Sequence, residues 1–165
     1  MADDARSGSA GRVSLLLRLI VGGIFLISGL AKIADPVRFL LTLREFRLLP
    51  GVLESLLAVY LPWLEFLLGL CVVLGMLHRT SALVIAGLNA FFVVAIGSVI
   101  ARGIEVDCGC FGLLADVLRL PDMADWKAIV RDLVFMVMCF YLFRSKTDAW
   151  TLERYLRRTV PRERS

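Results

Sequence analysis

Cys108 and Cys110, in the stretch Asp107-Cys108-Gly109-Cys110-Phe111-Gly112, are the residues of this chain best suited to chemistry. Two thiols separated by one glycine can close into a disulfide, bind a soft metal, or stay inert. The disulfide ring would be very small, and departure from relaxed geometry makes such a bond more reducible. Gly109 removes the Cβ that would resist the turn, and Gly112 frees the backbone beyond it. A strained, exposed pair exchanges rather than staples. Asp107 disfavours a thiolate at Cys108, so Cys110 is the expected attacking sulfur unless Asp107 itself accepts the proton. A static disulfide is the structural alternative. A metal centre would lack ligands, because the chain has no second close cysteine pair and its one histidine, His78, lies elsewhere.

Ionisable residues inside apolar stretches are the second group. A charge at mid-bilayer costs at least ~2.5–3.5 kcal/mol on insertion scales, so each needs a partner or a purpose. Glu65 is the deepest, and Arg131-Asp132 enter from the same side. The expected pair is Glu65 with Arg131, Lys32 capping the cluster from the end of the first span. Glu65 is alternatively a proton-relay carboxylate or a polar anchor for a quinone head group. Arg18 is shallow enough to snorkel. Cys71 and Cys139 lie ~9 Å and ~6 Å from the inner ends of their spans at a rise of ~1.5 Å per residue. That depth permits an inner dithiol, although cysteine also behaves as a small buried hydrophobe.

These residues need a frame, and the composition says which kind. Of 165 residues, 59% are hydrophobic, against about 45–50% in soluble domains. Charges gather at the ends and in two connections. The net charge of +4 comes with no basic helix bearing interleaved aromatics, so anionic lipid head groups are its expected partner rather than nucleic acid.

The pattern predicts an all-α integral membrane protein: a four-helix transmembrane bundle with an interfacial amphipathic helix between the first and second spans. Residues 1–12 read as a disordered cytoplasmic lead, 13–143 as the membrane domain and 144–165 as a basic amphipathic tail. The spans are 13–33, 53–77, 81–100 and 126–143. Between the first two, Phe39, Leu40, Leu43, Phe46 and Leu49 recur at helical spacing opposite Arg38, Arg44, Glu45 and Arg47, which predicts an interfacial helix over 36–50. His78-Arg79-Thr80 reads as a tight polar turn. Ala82, Ala86 and Ala90 form a small-residue stripe, and Gly22, Gly23 and Gly29 let neighbouring helices approach. Lysine and arginine are more numerous on the side of the termini, which places both termini in the cytoplasm and the Cys108–Cys110 pair outside it.

Several of these residues together resemble a known family. Ser28-Gly29-Leu30-Ala31-Lys32-Ile33, Asp35-Pro36, Leu61-Pro62-Trp63-Leu64-Glu65, Arg102-Gly103, the Cys-Gly-Cys-Phe-Gly element and Arg131 are similar to the MauE-type branch of the DoxX-like membrane proteins. The likeness covers residues 13–143, and the Cys-Gly-Cys-Phe-Gly element is its specific part. It implies a four-helix bundle in the cytoplasmic membrane. It also implies disulfide formation in a periplasmic dehydrogenase subunit beside a thioredoxin-like partner, and a link to quinone. Here Arg131-Asp132 replaces the usual arginine-asparagine pair.

The resulting expectation is a thiol–disulfide redox protein. Cys108, Cys110 and Asp107 carry the exchange, Glu65 and Arg131 support the site, and a lipid quinone or the inner cysteines take the electrons. The rival is a non-enzymatic anchor or assembly subunit with a structural disulfide. A transporter is disfavoured by the lack of an inverted repeat.

Overall fold

The computed structural model describes residues 2–104, 106 and 125–145, with backbone alone for 2–10 and 78. Among the described residues the elements are five helices: α1 (Ala2–Ala34), α2 (Pro36–Phe46), α3 (Gly51–Leu74), α4 (His78–Ala101) and α5 (Trp126–Arg144).

Their ends follow from local sequence. Asp35 accepts the Arg38 N–H at 3.0 Å, and Pro36 occupies the first turn of α2, where a missing N–H costs nothing. Arg47 closes α2 in the left-handed region. Asp125 caps α5 by accepting from the N–H groups of Lys127 and Ala128 at 3.0 and 3.1 Å.

Two boundaries differ from expectation. The lead expected to be disordered is helical from Ala2, because extending an existing helix gains a hydrogen bond per residue without a new nucleus. The tight turn is not His78-Arg79-Thr80, which opens α4, but the preceding Gly75-Met76-Leu77. Gly75 (φ 73°) and Leu77 (φ 48°) both take the left-handed conformation there.

Three stretches, Gly11–Ala34, Gly51–Leu74 and Arg79–Ala101, are long and apolar enough to cross a bilayer, with mean hydropathies of 2.2, 2.1 and 2.4. The segment expected as a fourth span forms α5, a 19-residue helix of about 28 Å at ~1.5 Å per residue. Lys127, Arg131 and Asp132 in its first turns leave it outside the set that is apolar enough on composition alone.

Burial runs in stripes of alternating three- and four-residue steps. In α1 the buried positions include Ser14, Arg18, Val21, Phe25, Ser28 and Lys32; in α5 they are Ala128, Asp132, Cys139 and Leu142. This spacing is the seam of helices packed at shallow angles. The stripes hold polar residues, whereas Leu16, Leu30, Val59, Val94, Val137 and Phe140 are exposed. Such an arrangement would be unstable in water, but hydrocarbon tails are as apolar as the side chains facing them. The surroundings are a lipid bilayer.

Two apolar layers bracket a polar one. At the Gly75 end, Val21, Phe25, Val72, Ala82, Ile85, Cys139 and Leu142 pack together. At the Arg102 end, Phe46, Ala95, Ile96, Val99, Val106 and Ala128 do so. Phe39 packs with Ala58 and Leu61, and Leu88 and Phe92 lean on this third group. The apolar face of α2 therefore lies on protein, with Phe39 and Phe46 beside different levels of α4.

Close approach of α1 and α3 depends on glycine. A Cβ on Gly22 would fall 2.8 Å from the Gly69 carbonyl oxygen, and one on Gly29 would fall 2.7 Å from the Phe66 nitrogen. Gly23, grouped with them by sequence, has nothing within 4 Å.

Arg18 does not snorkel. Its Nε donates to the Val72 carbonyl at 3.0 Å and its Nη2 to the Val73 carbonyl at 3.2 Å, with the residue 1% exposed. It satisfies the last carbonyls of α3 and sets a cation against that helix terminus. Gly75→Ala would place a methyl on this guanidinium in a left-handed backbone. The expected loss is about 2 kcal/mol, of which ~1–2 is backbone. In an Arg18→Met background the alanine penalty should fall toward the backbone part, read as non-additivity in unfolding midpoints.

Candidate functional site

Glu65 stands about 21 Å from the start of α3 and about 14 Å from its end at ~1.5 Å per residue, so its carboxylate is near mid-depth. Its partner is Lys32. Nζ of Lys32 donates to Oε1 at 2.8 Å and to Oε2 at 2.6 Å, both side chains being 2% exposed. Ser28 Oγ, one helical turn before Lys32, donates to Oε2 at 3.3 Å. The ammonium also lies 5.0 Å from the Phe39 ring centroid and 5.5 Å from that of Phe92, where the negative ring faces add to its stabilisation. The cation thus touches α2, α3 and α4 from α1.

The expected Glu65–Arg131 ion pair is therefore corrected. Arg131 Nε donates to Oδ1 of its neighbour Asp132 at 3.0 Å, and Glu65 joins α3 to α1 rather than to α5. The reason is reach. The glycine contacts bring α1 within side-chain distance of Glu65, while a carboxylate one residue away engages Arg131. The two ion pairs still belong together, since Ser28, Lys32, Glu65, Asn89, Arg131 and Asp132 line one cavity.

Asp107, Cys108 and Cys110 lie outside the described residues. What is described is the pair of flanks. Val106, immediately before Asp107, is 6% exposed and shares its cluster with Phe46, Val99 and Ala128. Arg102 Nη2 donates to the Phe46 carbonyl at 2.5 Å and its Nε to the Ser98 carbonyl at 3.1 Å, tying the ends of α2 and α4. Chain enters and leaves the 107–124 segment at one end of the bundle.

Cys71 and Cys139 are free thiols, Cys139 fully buried in the apolar cluster of the Gly75 end. Cys139 fills that layer as a small hydrophobe. Sequence reasoning missed Ser28 and Asn89 as parts of the polar layer and assigned Lys32 only a capping role. The available signal was spacing: Phe25, Ser28 and Lys32 fall on one helical face.

A helical bundle with its charges inside and its aliphatic side chains outside is a multi-pass integral membrane protein. A sequence profile described as Methylamine utilisation protein MauE matches residues 10–145, and the chain belongs to the MauE family. It is 28% identical over 123 residues to methylamine utilization protein MauE of Paracoccus denitrificans, covering 74% of this chain and 63% of that protein. It is 31% identical over 99 residues to the protein of the same name from Methylophilus methylotrophus, covering 59% and 52%. The chain thus spans somewhat more than half the length of these relatives. No solved structure matches it.

Proposed function

We propose that this protein is a thiol–disulfide exchanger of the cytoplasmic membrane, passing a Cys108–Cys110 disulfide to a thioredoxin-like protein or thiol client outside the cytoplasm. The observation that carries the reading is the Cys-Gly-Cys pair itself, in the longest connection of a MauE-family chain. The packed flanks at Val106 and Ala128 support it, because a rigid base lets a short dithiol turn meet a partner without a large ordering cost.

A client thiolate attacks one sulfur of the pair, the resulting mixed disulfide is displaced by the second client thiol, and the client loses two electrons while Cys108 and Cys110 become thiols. Reoxidation of the pair releases two electrons and two protons, which a lipid quinone takes up to become a quinol. Cys110 is the attacking sulfur of the return step, because the carboxylate of Asp107 disfavours a thiolate at Cys108. Lys32–Glu65 and Arg131 hold the frame. In this reading α5 is the fourth span, so the termini share the cytoplasmic side. The exposed face of α2, with Val37 and Leu41, meets the outer head groups. The relatives are named for methylamine utilization, and that physiological setting is part of the proposal.

Single Cys108→Ser and Cys110→Ser variants test it in intact cells. Each should abolish client oxidation, and one should accumulate a single mixed disulfide that reductant releases. Normal client oxidation in both variants, with no adduct and only a broad fall in stability, would make the pair a structural staple and the protein an anchor.

A further inference from the structure

Every carboxylate oxygen of the polar layer has a donor except one. Both oxygens of Glu65 are taken by Lys32, and Ser28 adds a further bond. Oδ1 of Asp132 accepts from Arg131. Oδ2 of Asp132 has no hydrogen-bond partner among the described residues, although the residue is only 3% exposed.

That oxygen belongs to a residue lining a cavity of about 30 Å³ between α1, α3, α4 and α5, with Lys32, Glu65, Asn89 and Arg131 also in its wall. A water molecule needs roughly 10–15 Å³ of such space and two or more polar partners. The volume suffices, and Lys32, Glu65, Asn89, Arg131 and Asp132 bring polar groups to the lining. An apolar void would stay dry; this one is lined by the residue that carries the unpaired acceptor and by two ion pairs.

We propose that this cavity is a water-occupied proton site in which Asp132 is the carboxyl that takes up and releases the proton. The charged groups around it, among the described residues, are Lys32 from α1, Glu65 from α3 and Arg131 from α5, with neutral Asn89 from α4. Two cations face two carboxylates, so the ionised cluster is neutral.

Glu65 is the wrong carboxylate for this task. A proton there would break its pairing with Lys32 and leave a buried ammonium uncompensated. Oδ2 of Asp132 can take a proton while Oδ1 keeps its bond from Arg131, whose side chain is 23% exposed and so less dependent on a counterion than the enclosed Lys32. A proton or a water hydrogen is also what a buried, unpaired oxygen lacks. The relay role open to Glu65 on sequence grounds moves to Asp132. Its use in the thiol reaction, where oxidation of the dithiol releases two protons and quinone reduction consumes them, rests on the function proposed above; the site itself does not.

Infrared spectroscopy of the full chain in lipid bilayers reads the proton directly. At neutral pH, solvent-exposed aspartates, with a pKa near about 3.9, are ionised. The expected result is one protonated-carboxyl C=O band that shifts when aspartate carries ¹³C in its carboxyl group and moves again in deuterated water. It should vanish in Asp132→Asn and persist in Glu65→Gln. Should Asp132→Asn fail to fold, Asp132→Glu supplies the second reading, with the band following glutamate label instead of aspartate label. A wild-type protein with no such band at neutral pH, or a band that survives Asp132→Asn, overturns the proposal. A band behaving as expected in a protein whose cysteine variants oxidise client normally would keep the proton site and remove the exchange reading.

Discussion

Glu65→Leu is expected to cost about 3–5 kcal/mol of stability, the range for a buried ion pair that loses one partner. The loss comes from Lys32, whose ammonium is almost fully enclosed and would keep its charge with no counterion. Lys32→Met should cost a similar amount by stranding the carboxylate. The double variant should recover most of the loss, because two apolar side chains of similar size leave no charge to solvate. The measurement is reversible unfolding in mixed micelles, followed by helical circular dichroism and assembled into a double-mutant cycle. Arg131→Met is the control. If it, rather than Lys32→Met, rescued Glu65→Leu, the assigned pairing would be wrong.

Gly29→Val carries the second large effect. The nearest obstacles to a new Cβ are backbone atoms of α3, the Phe66 nitrogen at 2.7 Å and the Pro62 carbonyl oxygen at 2.8 Å, and backbone does not move aside as a flexible side chain does. Overpacking of this kind costs about 1–3 kcal/mol, and the upper end is expected because the α1–α3 contact must open along its length. Gly69→Val should behave alike, since its Cβ would lie 2.7 Å from the Leu26 nitrogen. Gly23→Val, facing open space, should stay within about 0.5 kcal/mol. Lys32 sits less than one turn beyond Gly29, so a displaced α1 should also withdraw its ammonium from Glu65. Gly29→Val and Glu65→Leu should then be less than additive. Equal stability of the Gly23 and Gly29 variants would refute the close-packing account.

Much of this was legible in order along the chain. Apolar runs of membrane length mark α1, α3 and α4, since hydropathy summed over about twenty residues depends on composition and not on partners. Asp35-Pro36 marks the boundary before α2, because the cap and the missing N–H act within four residues. The pairing of charges was not legible. Glu65, Lys32, Arg131 and Asp132 can all be read as buried ions needing partners, but two cations and two carboxylates permit more than one matching. Arg18 was misread for a related reason. Its position near a span end suits snorkelling, and only the fold brings the carbonyls of Val72 and Val73 to it.

By itself, then, the amino-acid order determined that the chain is helical, lives in lipid and carries a closely spaced thiol pair beyond its third span. Each of those properties follows from local composition or covalent spacing. Tertiary structure alone decided which charge meets which, which of Gly22, Gly23 and Gly29 matter, and which carboxylate oxygen is left without a donor. These depend on the rotation and depth of one helix against another, and side chains from four separate helices must converge before any such contact exists.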